Sequence, residues 1–182
     1  MKRTGMILAV LLCGFGLFAL PARAAIGLEA IEARAGFADL EDEAGSTFIL
    51  SAAADMGQLT EDFGLEFNVD FWTKGWDAGI YDWSATNFGF LANGNYAFAM
   101  EGSFHPFVFA GAGLLYQTVS ADCDDCYLDA DESEVEFSID FGAGAYFGTG
   151  EGMTPTVRAG YNTNGGFDYL FIQAGLRFPM GK

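Results

Sequence analysis

The stretch EVEFSIDFGAGAYFG, Glu134 to Gly148, alternates without interruption. Val135, Phe137, Ile139, Phe141, Ala143, Ala145 and Phe147 fall on one parity, and Glu136, Ser138, Asp140, Gly142, Gly144 and Tyr146 on the other. Successive side chains of a strand point to opposite faces, so this segment is one strand with an apolar face and a polar face. Which face looks inward decides the class of protein. A soluble barrel hides its phenylalanines, whereas a membrane barrel turns them to lipid.

The pattern recurs along the chain. DFGLEFNVDFW sets Phe63, Leu65, Phe67, Val69 and Phe71 against Gly64, Glu66, Asn68, Asp70 and Trp72. ATNFGFLANGNYAF and DYLFIQAGLRF repeat it, with Phe88, Phe90, Ala92, Tyr96 and Phe98 on one face of the first and Leu170, Ile172, Ala174, Leu176 and Phe178 on one face of the second. Weaker copies run through Ile31–Ala38, Thr47–Ala54, Phe107–Val119 and Pro155–Asn162, which makes eight strands. Turn chemistry separates them at DLEDEAGS, DMGQ, KGWDAGIYD, AMEGSFHP, SADCDDCYLDADES, GTGEGMTP and NTNGG. Helical periodicity is absent, and the strands are long enough to cross a bilayer, which takes about 9–11 residues. The expected fold is all-β, an eight-stranded antiparallel up-and-down transmembrane barrel.

Two features place the apolar face outside. The polar parity consists of Gly, Asn, Ser and charges of both signs: Glu66, Asp70, Glu136 and Asp140 with Arg34, Arg158 and Arg177. An eight-stranded barrel has an interior just wide enough for side chains to fill, which suits small residues and a paired charge network, whereas a row of phenylalanines would overfill it. Phe67, Phe90, Phe137, Phe141 and Ile172 are therefore expected on lipid. In addition, Trp72, Trp76, Tyr81 and Trp83 all flank one loop and are expected to form an interfacial aromatic girdle.

The N-terminus has the build of a secretory signal. Lys2 and Arg3 precede an apolar run from Met6 to Leu20, and Ala22-Arg23-Ala24 offers a small-residue cleavage site. Residues 1–24 are expected to be removed, leaving 25–182 as one barrel domain. The formal charge of the whole chain is −17, and the leader carries Lys2, Arg3 and Arg23 but no acid, so the exported chain is more negative still. Nucleic acid is excluded as a partner on that ground.

HPFVFAGAGLLYQ, IDFGAGAYFG, TPTVRAGYN and the closing FIQAGLRF give the chain its resemblance to a family. They resemble the small bacterial outer-membrane β-barrel domains typified by the OmpA and OmpX transmembrane domains, over nearly the whole length after residue 24. The resemblance implies an outer-membrane location, outer-membrane lipid as surroundings, and the β-barrel assembly machinery with periplasmic chaperones as partners during biogenesis. The chain departs from the family by continuing past Phe178 with PMGK. The family rule of short periplasmic turns puts DLEDEAGS, KGWDAGIYD, SADCDDCYLDADES and NTNGG outside. The expected role is structural or surface-interactive, as a monomer, with the lumen plugged by polar side chains. A narrow passage or carrier for small solutes or apolar molecules is the second reading, and a soluble periplasmic ligand-binding barrel the third.

Chemical motifs are sparse. Cys123 and Cys126 have the C-x-x-C spacing of redox and zinc sites, but Asp122, Asp124 and Asp125 disfavour a thiolate and zinc needs two further ligands. A loop-tip disulfide between them is expected in an exported chain. DLEDE and DADESE are acidic enough for Ca2+, yet neither has the spacing of a calcium loop and both read as solvated surface. Small outer-membrane hydrolases and acyltransferases resembling this architecture use a histidine to activate a serine at the outer face. The single histidine, His105, sits in a turn expected at the other end. No enzyme activity and no cofactor are expected.

Overall fold

The computed structural model describes residues 26–41, 45–78, 81–122, 130–148 and 152–180. They form eight strands: β1 Ala30–Leu40, β2 Gly45–Gln58, β3 Phe63–Ala78, β4 Tyr81–Ala97, β5 Phe104–Asp122, β6 Ala130–Phe147, β7 Thr154–Thr163 and β8 Tyr169–Pro179. Each pairs antiparallel with the next, and β1 pairs with β8 from Ala30↔Pro179 to Leu40↔Tyr169, closing an all-antiparallel barrel. Closure leaves no sheet edge around the barrel wall.

The strands differ in length for a reason visible in their pairing. β1, β7 and β8 have 10 or 11 residues, whereas β3 to β6 have 16 to 19. β6 meets β7 only from Ile139 onward, so the β3–β4 and β5–β6 hairpins rise past their neighbours. They rise at the rim opposite the chain ends. That rim is called distal below, and the rim carrying Ala30 and Pro179 is called terminal.

One expected turn is part of a strand. DMGQ lies inside β2, where the register to β3 shifts between Asp55 and Gln58. Gly57 adopts a φ of +84° there, and its N–H donates to Asp55 Oδ1 at 2.9 Å. The glycine forms a β-bulge instead of ending the strand, and the chain reverses at residues 59–62, where the Leu59 and Thr60 N–H groups donate to Phe63 O.

Alternation is inverted relative to a soluble protein. Phe67, Phe90, Phe137, Phe141 and Ile172 are between 49% and 60% exposed on the outer surface, while Glu66, Asp140 and Arg158 are at most 2% exposed inside. The lumen also contains what its bore was expected to exclude: Phe107, Phe109 and Phe171 are buried within it. The inward glycines make that possible. A Cβ on Gly144 would lie 2.4 Å from Phe107 Cζ, and one on Gly142 would lie 2.6 Å from Phe109 Cζ. Each ring occupies the volume left by a missing side chain on a facing strand.

Candidate functional site

The centre of the lumen is an ion-pair network built from four strands. Inward parity on β1, β3, β6 and β7 projects Arg34, Glu66, Asp140 and Arg158 to one level. Arg158 Nη1 donates to Glu66 Oε1 at 2.6 Å, and its Nη2 to Asp140 Oδ2 at 3.3 Å. Arg34 reaches the same Glu66 oxygen at 3.4 Å and Glu32 Oε1 at 3.5 Å, and also donates to Asn68. The Arg158 guanidinium lies 3.5 Å from the centroid of the Phe109 ring, a cation–π contact made in a dry interior. Buried charges persist only when paired and hydrogen-bonded, and this arrangement satisfies both conditions for the two guanidinium groups.

Three other candidate charges stand apart from that network. Asp70 accepts from Ser51, which in turn receives Gln173 Nε2 at 2.5 Å. Arg177 pairs instead with Asp55 at 2.5 Å, half-buried towards the terminal rim, with its guanidinium 5.6 Å from the Tyr146 ring. Glu136 makes no ion pair among the described residues and lies against the Gly165–Gly166 turn. Sequence reasoning missed Glu32 and Asp55. The first shares parity with Arg34 two residues later and was findable, while the second was hidden by reading DMGQ as a turn.

The tryptophans correct the expected girdle. Trp72 is 1% exposed, inside the lumen and edge-on to Tyr169 at 6.1 Å. Trp76 shares its inward parity and stacks on Trp83 at 6.5 Å. Parity along β3, unbroken from Glu66 through Trp72 to Trp76, overrides proximity to a loop. The Tyr81 side chain lies outside the described residues. Exposed aromatics cluster at the terminal rim instead: Tyr96 with Phe98, Phe104 with Phe147, and Phe178.

The β7–β8 turn folds into the distal mouth. Phe167 lies 6.1 Å from both Trp72 and Trp76, edge-on to each. Asn164 fixes the turn by donating to Phe167 O at 2.8 Å and accepting from Gln117 Nε2 at 3.1 Å. Asp168 Oδ1 accepts from Asn164 N at 2.7 Å. Glycine is required at Gly166, where a Cβ would lie 2.1 Å from Gln117 Oε1. Phe167→Ala should therefore unseal the mouth and raise collisional quenching of tryptophan fluorescence by acrylamide. Unchanged quenching would show that the turn seals nothing.

His105 lies at the terminal rim, with Nε2 3.1 Å from Gly148 O. Cys123 and Cys126 lie outside the described residues, as do residues 1–24.

No family model matches the chain, and no curated protein matches it. Solved structures do. The Neisserial surface protein A is 17% identical with a TM-score of 0.60, covering 86% of this chain and 100% of its own. A major outer membrane protein from Thermus thermophilus is 12% identical with a TM-score of 0.61, covering 83% of this chain and 98% of its own. The N-terminal β-barrel domain of Pseudomonas aeruginosa OprF is 15% identical with a TM-score of 0.53, over 85% of this chain and 99% of that one. At these identities the likeness speaks for the fold, and the chain has the fold of the small eight-stranded bacterial outer-membrane β-barrels.

Proposed function

We propose that the chain is a non-enzymatic outer-membrane barrel whose lumen is closed by its own side chains, and that it acts through structure and surface contact at its distal rim. The inversion of faces carries this reading. A band of phenylalanine, leucine, isoleucine and valine covers the outside, far beyond the apolar patches a soluble monomer exposes, while arginines and carboxylates pair inside. The likeness to solved outer-membrane barrels supports the same placement.

The distal rim then faces the medium, with Asp39, Glu41 and Asp168 among its acids. The exposed Tyr96, Phe98, Phe104, Phe147 and Phe178 lie at the periplasmic interface, where amphipathic rings settle. β8 ends on exposed Phe178, a terminal strand suited to the assembly machinery and its chaperones. A serine-activating role for His105 finds no support in its position at the terminal rim.

Cell fractionation tests the reading. The protein is expected in the outer-membrane fraction, migrating faster on a gel before boiling than after it. Recovery in the periplasmic fraction without detergent would overturn it in favour of a soluble ligand-binding barrel.

A further inference from the structure

The sealed lumen holds more acid than base. Glu32, Glu66, Asp70 and Asp140 are at most 7% exposed, and the buried bases beside them, among the described residues, are Arg34 and Arg158. Arg34 is engaged by Glu32 and Glu66, and Arg158 by Glu66 and Asp140. Asp70 makes no ion pair among the described residues and is held by the Ser51 hydroxyl. Asp70 and Asp140 nevertheless share one region, since their charges act on each other and both act on Tyr169. Two carboxylates left uncompensated in a low-dielectric interior are costly, so a positive charge is called for.

Acceptor oxygens without donors mark where it goes. Asn93 is wholly buried; its Nδ2 donates to Asp140 Oδ2 at 3.1 Å while its Oδ1 has no donor. Asp140 Oδ1 has none either. Two positions further along the inward face of β4 from Gly89, which pairs with Asp70, the buried Asn87 leaves both amide atoms unpartnered. No three His, Cys, Asp or Glu side chains converge among the described residues, so amide oxygen has to complete any coordination shell.

We propose that Asp70 and Asp140, with the Asn93 side-chain oxygen, hold a divalent cation of the calcium type in the lumen. One such ion balances the two excess charges. Calcium accepts carboxylate and amide oxygens in irregular geometry, as this site supplies them, whereas magnesium demands a regular octahedron. An ion that binds only the folded barrel stabilises it by mass action.

The test uses the folded full barrel in detergent micelles, stripped with EDTA and then supplied with CaCl2 or with choline chloride at matched ionic strength. Calcium is expected to raise the melting temperature, and elemental analysis after desalting is expected to show one ion per barrel. Asp140→Asn and Asp70→Asn should each abolish that rise and lose the ion, while Ser138→Ala should keep both. Identical melting with and without calcium would overturn the site. So would a calcium effect that survives unchanged in Asp140→Asn and Asp70→Asn, because it would then belong to the acidic connections at the rim. Should one variant fail to fold, the other and the ion count of the wild type decide.

Discussion

Arg158→Met is expected to destabilise the folded barrel by about 3–5 kcal/mol, the range for breaking a buried pair by removing one partner. Arg158 bridges Glu66 at 2.6 Å and Asp140 at 3.3 Å and lies over the Phe109 ring, all at 1% exposure. Methionine fills much of the same volume, so the loss comes from the two carboxylates left without their base and not from a cavity. The lumen already has an excess of acid, which makes removal of a base more damaging than removal of an acid. Arg158→Lys should restore only part of the loss, because a single ammonium cannot span both carboxylates as the planar fork does. Urea titration of the barrel in lipid vesicles, followed by tryptophan fluorescence, measures the difference. A loss below about 1 kcal/mol, the size of an exposed salt bridge, would show that the network is hydrated and not sealed.

The second large effect lies on the opposite face. Phe90→Arg should cost about 2–4 kcal/mol of folding into a bilayer, the depth-dependent penalty for arginine on the lipid face of a barrel. Phe90 is 56% exposed in the middle of β4, between Val69 and Leu114 on its neighbouring strands and in ring contact with Phe88 at 5.2 Å. Phe90→Leu keeps the surface apolar and should change little, which separates the charge from loss of the ring. In detergent micelles, which deform around a charged group, the arginine penalty should shrink. An arginine variant that folds into vesicles as readily as the leucine variant would mean that this face does not meet lipid.

Much of this arrangement was legible in the residues. Alternation revealed all eight strands and the outward course of Phe67, Phe90, Phe137, Phe141 and Ile172, because a period of two needs no knowledge of partners. Arg34, Glu66, Asp140 and Arg158 could be named for the lumen by parity alone. What parity could not reveal was register. The rings of Phe107 and Phe109 fit the bore only because Gly144 and Gly142 face them across β5 and β6, and that pairing depends on which residues end up opposite one another. The Arg177–Asp55 pair was hidden in the same way, since the bulge at Gly57 had to be recognised before Asp55 could count as a strand residue. Trp72 was misplaced for a different reason: nearness to a loop was given more weight than an unbroken inward row from Glu66 to Trp72.

The lumen is closed at three levels, by the Arg177–Asp55 pair beside Tyr146, by the central network on Arg158, and by Phe167 against Trp72 and Trp76. Planar-bilayer recording of the purified wild-type protein tests this closure most directly. Insertion without any stable ohmic conductance is expected, with Phe167→Ala alone leaving the barrel silent because the two inner levels remain. Sustained porin-like conductance from the wild-type protein would contradict the closed lumen and make the chain a passage for small solutes.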